Sequence, residues 1–140
     1  MEDGEKQTGT REVETGRLLA LLPEEVARMP HHVFETDTER IVLITAKENA
    51  DGTVEEYAGF ARGRYAPHIH DQTDSEFTIV TGTGTALIGD ERIPYAPGTV
   101  LKAPRGVAHG FEADSDTWLH TQLSGHIYDE KTGVSDFRHP

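Results

Sequence analysis

The sequence contains no cysteine, little positive charge and no long apolar run. The absence of cysteine among its 140 residues excludes disulfides and thiolate zinc sites. The sequence contains 13 lysine and arginine residues and 25 aspartate and glutamate residues, which give a formal net charge of -12. Such a charge repels the phosphate backbones of nucleic acids. The longest apolar run, at residues 18–22, is far shorter than the roughly 20 residues of a membrane span, and the acidic N-terminus is unlike a secretory signal. These features predict a cytoplasmic protein that binds neither nucleic acid nor a membrane.

The order of polar, helical and strand-like segments predicts one domain with a short helix ahead of a β-barrel. Residues 1–16 are polar and acidic, which predicts a disordered or loosely attached tail. Residues 17–39 are expected to hold a lead-in and a short helix that begins at Pro23, since proline followed by two acids suits a first helical turn. Residues 40–123 contain short β-rich runs separated by turn residues, which is typical of a sandwich or barrel. Residues 124–140 lack periodicity and are expected to pack on the barrel or on a partner subunit.

Three histidines form the candidate metal site. His68 and His70 are separated by one residue, so on an extended strand their side chains share a face and can bind one metal ion. A third histidine, His109, ends the pattern G-x5-P-x-G-x2-H that begins at Gly98. These two blocks resemble the two sequence motifs of the cupin superfamily.

The resemblance covers about residues 40 to 123. It implies an all-β, single-domain cupin barrel of the jelly-roll type, in which His68, His70 and His109 bind a divalent metal ion. Fe(II) is favoured because several cupin dioxygenases use three-histidine iron sites, while Zn, Mn, Ni and Cu stay open because imidazole does not select among metals. A homodimer is also expected, since all-β proteins often bury open sheet edges by pairing subunits.

The fourth ligand of the cupin motif, a glutamate, is displaced in this sequence. Counting forward from His70 and back from Gly82 places Ser75 at its usual position, and Glu76 follows one residue later. A shift of one residue turns a strand side chain to the opposite face, so a three-histidine site is expected. A β-bulge before the strand would instead turn Glu76 inward, as a fourth ligand or a base.

Three hypotheses for the function follow from this site. The first is a non-haem iron dioxygenase that acts on a small organic substrate, motivated by the absent carboxylate. The second is a metal-dependent isomerase, cyclase or lyase without redox chemistry, with Tyr65, Tyr95 or His120 as proton carrier. The third is a cupin that binds a small molecule without catalysis. In the last predicted strand, His120 shares a face with Trp118, and that face either lines the pocket or meets solvent.

Overall fold

Two antiparallel sheets form the body of the protein. The computed structural model describes residues 2–127 and 135–140, with side chains from residue 11 onward. Within these residues the helices are α1 (Glu2–Leu19) and α2 (Glu24–Ala27). The strands are β1 (His32–Glu35), β2 (Arg40–Glu48), β3 (Val54–Phe60), β4 (Gly63–His68), β5 (Ser75–Thr81), β6 (Gly84–Ile88), β7 (Glu91–Tyr95), β8 (Val100–Ala103), β9 (His109–Ala113) and β10 (Thr117–Leu123). The predicted all-β class with a short N-terminal helix is confirmed.

The strands pair with partners that are distant in the sequence. The larger sheet has the order β1-β2-β3-β10-β5-β8 and the smaller sheet has the order β4-β9-β6-β7. Side chains of both sheets meet in one apolar core, because buried positions alternate along strands such as β5 and β8. The fully or largely buried members of this core are Phe60, Phe77, Ile79, Ala86, Tyr95, Leu101, Ala103, Phe111, Ala113 and Leu119. The sequence predicted this sandwich, and the core confirms it.

The N-terminal segment covers part of the outer face of the larger sheet. Trp118 is fully buried there, and its Nε1 donates a hydrogen bond of 2.7 Å to the backbone oxygen of Leu18. Leu18 and Leu22 pack with Trp118 against Val42 and Ile44. Leu18 and Leu22 therefore bury their side chains within the chain itself, and the homodimer stays a prediction.

Helix α1 occupies the segment for which the sequence predicted a disordered or loosely attached tail. Ion pairs connect its second half to the sheet, since Arg17 lies 2.7 Å from Asp116 and Glu14 lies 3.1 Å from Arg40. Charged side chains that the sequence assigned to a solvated tail thus form ion pairs with residues on β2 and just before β10. No described helix combines the length and the hydropathy that crossing a membrane requires.

Replacing Leu18 with alanine is expected to lower the free energy of unfolding by about 2 to 4 kcal/mol, because its side chain is fully buried. Val13 lies on the same helix and is 70% exposed, so Val13→Ala is the matched control and should change stability by less than about 0.5 kcal/mol. Urea unfolding of both variants measures the difference. Equal effects of the two substitutions would contradict the packing of α1 on the sheet.

Candidate metal centre

The three histidines selected from the sequence converge at the ends of two neighbouring strands. β4 ends at His68 and β9 begins at His109, and these two residues pair directly across the smaller sheet. His70 follows two residues after the end of β4. One nitrogen from each ring lies within 4.8 Å of the other two. The ring centroids are 4.3 Å apart for His68 and His109, and 4.8 Å apart for His68 and His70.

The environment of the cluster keeps imidazole rings neutral. His70 is 5% exposed and His109 is 3% exposed. Burial, together with the neighbouring His109 and His70, lowers the pKa of His68 to about 2. Burial and the neighbouring His70 lower the pKa of His109 to about 4. His68 and His109 are therefore neutral at pH 7, as a metal ligand must be.

The donor set fits a divalent transition metal. His70 Nδ1 makes a hydrogen bond with the backbone oxygen of Asp136, and because a carbonyl oxygen only accepts, this nitrogen carries the proton. Nε2 of His70 is then left with a lone pair. The buried Nδ1 of His109 has no hydrogen-bond partner among the described residues. Convergent imidazoles with lone pairs are ligands that zinc, iron, copper and nickel accept.

The histidines lie in the wall of a cavity of about 720 Å³ between the two sheets. That volume is in the range of small-molecule sites. Much of the wall is aromatic, formed by Phe34, Phe60, Tyr65, Phe77, Phe111 and Phe137. Phe77 and His109 are in contact, with ring centroids 5.3 Å apart, so the aromatic wall continues up to the metal ligands. A bound molecule would meet apolar faces on several sides and the histidines at one end.

Glu56 is a cavity residue that sequence reasoning missed. It lies on the cavity face of β3 with Val54 and Ala58, and burial raises its pKa to about 7, an effect that His126 opposes. In the register of the larger sheet Glu56 stands opposite Thr121, which in turn stands opposite Phe77. Two strand spacings put its backbone roughly 10 Å from that of Phe77. A glutamate in an otherwise apolar alternation was the signal in the sequence.

The structure does not bring Glu76 to the histidines. The side chain of Glu76 is 44% exposed and lies 3.8 Å from Lys102 on the outer face of the larger sheet. Ser75 is 5% exposed and lines the cavity. The pairing of β5 with β8 is regular through Ser75 and Glu76, so no bulge between these strands rotates the glutamate inward. Because neighbouring residues of a strand face opposite sides of the sheet, Ser75 points to the cavity and Glu76 points away from it. The group of converging ligands contains three histidines.

The three predicted proton carriers lie in different places. Tyr65 lines the cavity, where burial raises the pKa of its hydroxyl, which donates a hydrogen bond of 2.7 Å to the backbone oxygen of Ala61. Tyr95 is buried in the core, with its hydroxyl 2.9 Å from that of Thr117.

His120 lies on the face of β10 that points away from the cavity. Its Nε2 is 3.3 Å from a carboxylate oxygen of Glu55, and its ring packs against Tyr57. The cavity is instead lined by the alternate residues of the strand, Leu119, Thr121 and Leu123. Of the three predicted carriers, Tyr65 is therefore the one that a ligand in the cavity can reach.

Parts of the sequence and the structure as a whole are similar to known proteins. Residues 58–121 match the family model described as Cupin domain. The structure resembles KdgF from Halomonas sp., with a TM-score of 0.60, 20% identity, and coverage of 73% of this chain and 91% of that one. It resembles a putative sugar phosphate isomerase from Acidithiobacillus ferrooxidans, with a TM-score of 0.61, 18% identity, and coverage of 77% and 76%. It also resembles Streptomyces Pac13, described as a nucleoside dehydratase, with a TM-score of 0.58, 15% identity, and coverage of 79% and 84%. At these identities the likeness shows a shared fold.

Proposed function

We propose that the chain is a cupin that acts as a metal-dependent enzyme and isomerises, cyclises or dehydrates a small polyhydroxylated substrate without redox chemistry. The observation that carries the proposal is the convergence of His68, His70 and His109 in the wall of a cavity that also contains Glu56. Two of the similar structures carry the descriptions dehydratase and sugar phosphate isomerase, and both reactions proceed without an external oxidant. These neighbours support non-redox chemistry better than the dioxygenase that the sequence favoured.

The three histidines would hold a divalent cation and leave coordination positions open towards the cavity. Such a cation supplies Lewis acidity, which polarises a substrate oxygen and makes a neighbouring C–H or O–H group more acidic. The chain itself binds and orients the substrate through its aromatic walls, which exclude water from the far side of the cavity. Apolar faces of Phe77 and Phe111 suit the C–H face of a sugar-like ring.

Glu56 is the residue that we assign to proton transfer. Its carboxyl group reaches into the cavity from β3, on the side of the larger sheet that faces the histidines. Its backbone lies roughly 10 Å from that of Phe77, whose ring contacts His109, so a substrate in the cavity would lie between Glu56 and the histidines. A carboxyl group that titrates near neutral pH can both accept and return a proton, which an isomerisation or an elimination requires. Tyr65 lines the same cavity, and because its hydroxyl proton is donated to the backbone oxygen of Ala61, it would contribute a hydrogen-bond acceptor or an apolar contact to the substrate.

An iron dioxygenase is the second candidate function. The observation that favours it is the composition of the ligand group, since the described residues place no carboxylate with the three histidines and Ser75 stands where cupins usually carry glutamate. An iron ion held by these three histidines would supply redox chemistry with dioxygen. The two candidates differ in their need for a redox-active metal and for oxygen, which makes them separable by experiment.

The proposal predicts turnover with a redox-inert metal under anaerobic conditions. Metal-free protein reloaded with Zn²⁺ is incubated with sugar phosphates, uronic acids and nucleosides in a nitrogen atmosphere, and substrate loss is followed by proton NMR. Conversion of one class is expected, retained in His120→Ala because His120 lies outside the cavity, and abolished in His109→Ala. Oxygen uptake by Fe(II)-loaded protein, together with inactivity of the zinc form, would overturn the proposal in favour of the dioxygenase.

A further inference from the structure

The C-terminal residues 135–140 return to the metal centre and pair with the segment between two of its ligands. Ile69 lies between His68 and His70, and it exchanges two backbone hydrogen bonds with Arg138, of 2.7 Å and 3.1 Å. Arg138 also forms an exposed ion pair with Asp71, at 2.6 Å. The pairing brings the backbone of Asp136 and the ring of Phe137 to the histidines, from a part of the sequence that carries no recognisable motif.

Asp136 binds the loop that follows His70 with both of its carboxylate oxygens. Oδ1 accepts a hydrogen bond of 2.7 Å from the backbone N–H of Asp71. Oδ2 accepts one of 3.0 Å from the N–H of Gln72 and one of 2.7 Å from the hydroxyl of Thr73. Thr73 is only 2% exposed, so its hydroxyl needs this partner. A carboxylate with three donors is a strong, charge-assisted anchor, and it holds residue 136 in a fixed place relative to the loop.

The same residue contacts the ring of a metal ligand through its backbone. The carbonyl oxygen of Asp136 accepts a hydrogen bond from Nδ1 of His70. We propose that Asp136 is a positioning residue of the metal centre, whose carboxylate anchors its own carbonyl so that His70 is held in the Nδ1–H tautomer with Nε2 facing the cavity. Metal-binding histidines depend on such an acceptor for the other ring nitrogen, which sets the tautomer and the ring orientation.

Phe137 adds a second contact to the same centre. Its ring stacks on His68, with centroids 4.7 Å apart and an interplanar angle of 25°. On its other side it meets Phe34, at 5.4 Å, and it lines the cavity. Residues 136 and 137 therefore restrict two of the three ligand rings, one by a hydrogen bond and the other by stacking.

The tautomer of His70 can be measured in metal-free protein, independently of any activity. Long-range ¹H–¹⁵N correlation spectra of the full chain at pH 8 distinguish a protonated Nδ1 from a protonated Nε2. We expect the wild type to show His70 as the Nδ1–H form. Asp136→Asn should give a mixed population, because an amide cannot accept from all three donors. Arg138→Gln is the matched control, since it removes only the exposed ion pair on the same segment.

Metal affinity gives the second readout, and this arm rests on the proposed function. Zn²⁺ binding measured in competition with a chelator should weaken about 10- to 100-fold in Asp136→Asn and stay within about threefold of the wild type in Arg138→Gln. Thr73→Val removes one donor while keeping the shape of the side chain, so it should weaken binding in the same direction by less. This variant tests the inference if Asp136→Asn does not fold.

The outcomes separate the inference from the proposed function. An unchanged Nδ1–H population in both Asp136→Asn and Thr73→Val would overturn the positioning role, whatever the metal affinity. A wild type that shows the expected tautomer but does not bind Zn²⁺ would contradict the metal-dependent function while supporting the positioning of His70. A change in tautomer accompanied by weaker Zn²⁺ binding would support both.

Discussion

Replacing His109 with alanine is expected to weaken Zn²⁺ binding by more than about 100-fold. This loss is larger than the one that typically follows removal of a group that only hydrogen-bonds to a metal ligand. His109 supplies one of three converging ring nitrogens, and two imidazoles cannot complete a stable site alone. Elemental analysis of protein purified without chelator or affinity tag should show about one ion per chain in the wild type and little in the variant. Because the wild-type protein is loaded by the host cell, the same analysis also identifies the metal.

Two control variants make the metal experiment specific. His120→Ala removes a histidine on the outer face of β10, and Glu76→Ala removes the exposed carboxylate beside Lys102. Both should keep the metal content of the wild type. Loss of metal in Glu76→Ala would restore the glutamate as a fourth ligand, and retention of metal in His109→Ala would contradict the three-histidine site. Iron in the wild type would favour the dioxygenase as the function.

The second large effect is expected for Glu56→Gln, and it depends on pH. The pKa of Glu56 in the folded protein is raised to about 7 from an ordinary value of 4.5, so its contribution to stability is complete below pH 4.5 and is lost as the pH rises through 7. Glutamine does not ionise. The free energy of unfolding of the variant minus that of the wild type should therefore increase by about 2 kcal/mol between pH 5 and pH 8.

Chemical unfolding at the two pH values measures this gain, and taking the difference between variant and wild type cancels the titration of all other groups. Glu76→Gln serves as the matched control, since that carboxylate is 44% exposed and should show no comparable pH effect. A constant difference between Glu56→Gln and the wild type across the range would show that Glu56 is not a buried carboxyl group. Turnover of an identified substrate should fall about 100- to 10,000-fold in Glu56→Gln, the size of a general acid–base contribution.

Burial and the charges around Glu56 act on its pKa in opposite directions. Glu48 and His126 line the same cavity, with His126 Nε2 3.4 Å from a carboxylate oxygen of Glu48. His126 lowers the pKa of Glu56 and so opposes the effect of burial. Burial is the larger cause, because the surrounding side chains of β3, including Val54 and Ala58, are apolar. Glu56 is therefore protonated for part of the population at neutral pH, as a proton carrier should be.

Local rules were sufficient for the strands and for the ligand spacing. Alternation of side chains along a strand predicted that His68 and His70 share a face, and that Ser75 rather than Glu76 points to the interior. Both predictions depend only on a period of two, which a short strand imposes whatever it packs against. His109 was found because the pattern that ends in it resembles the second cupin motif, and not from a local rule. The sequence by itself thus determined the fold class and the identity of the three converging histidines.

Only the tertiary structure decided which faces the remaining strands turn to the cavity. Periodicity separates the two faces of β3 and β10 but does not say which is inside, so Glu56 was missed and His120 was offered as a proton carrier. The sheet order answers this, because β10 packs its Leu119 face on the core and its Trp118 face under α1. Asp136 reaches the His70 loop across more than 60 residues of sequence, and no local preference encodes such a contact. Long-range packing therefore determines which of these residues lie at the cavity, because burial of apolar surface sets how the two sheets and the C-terminal segment pack together.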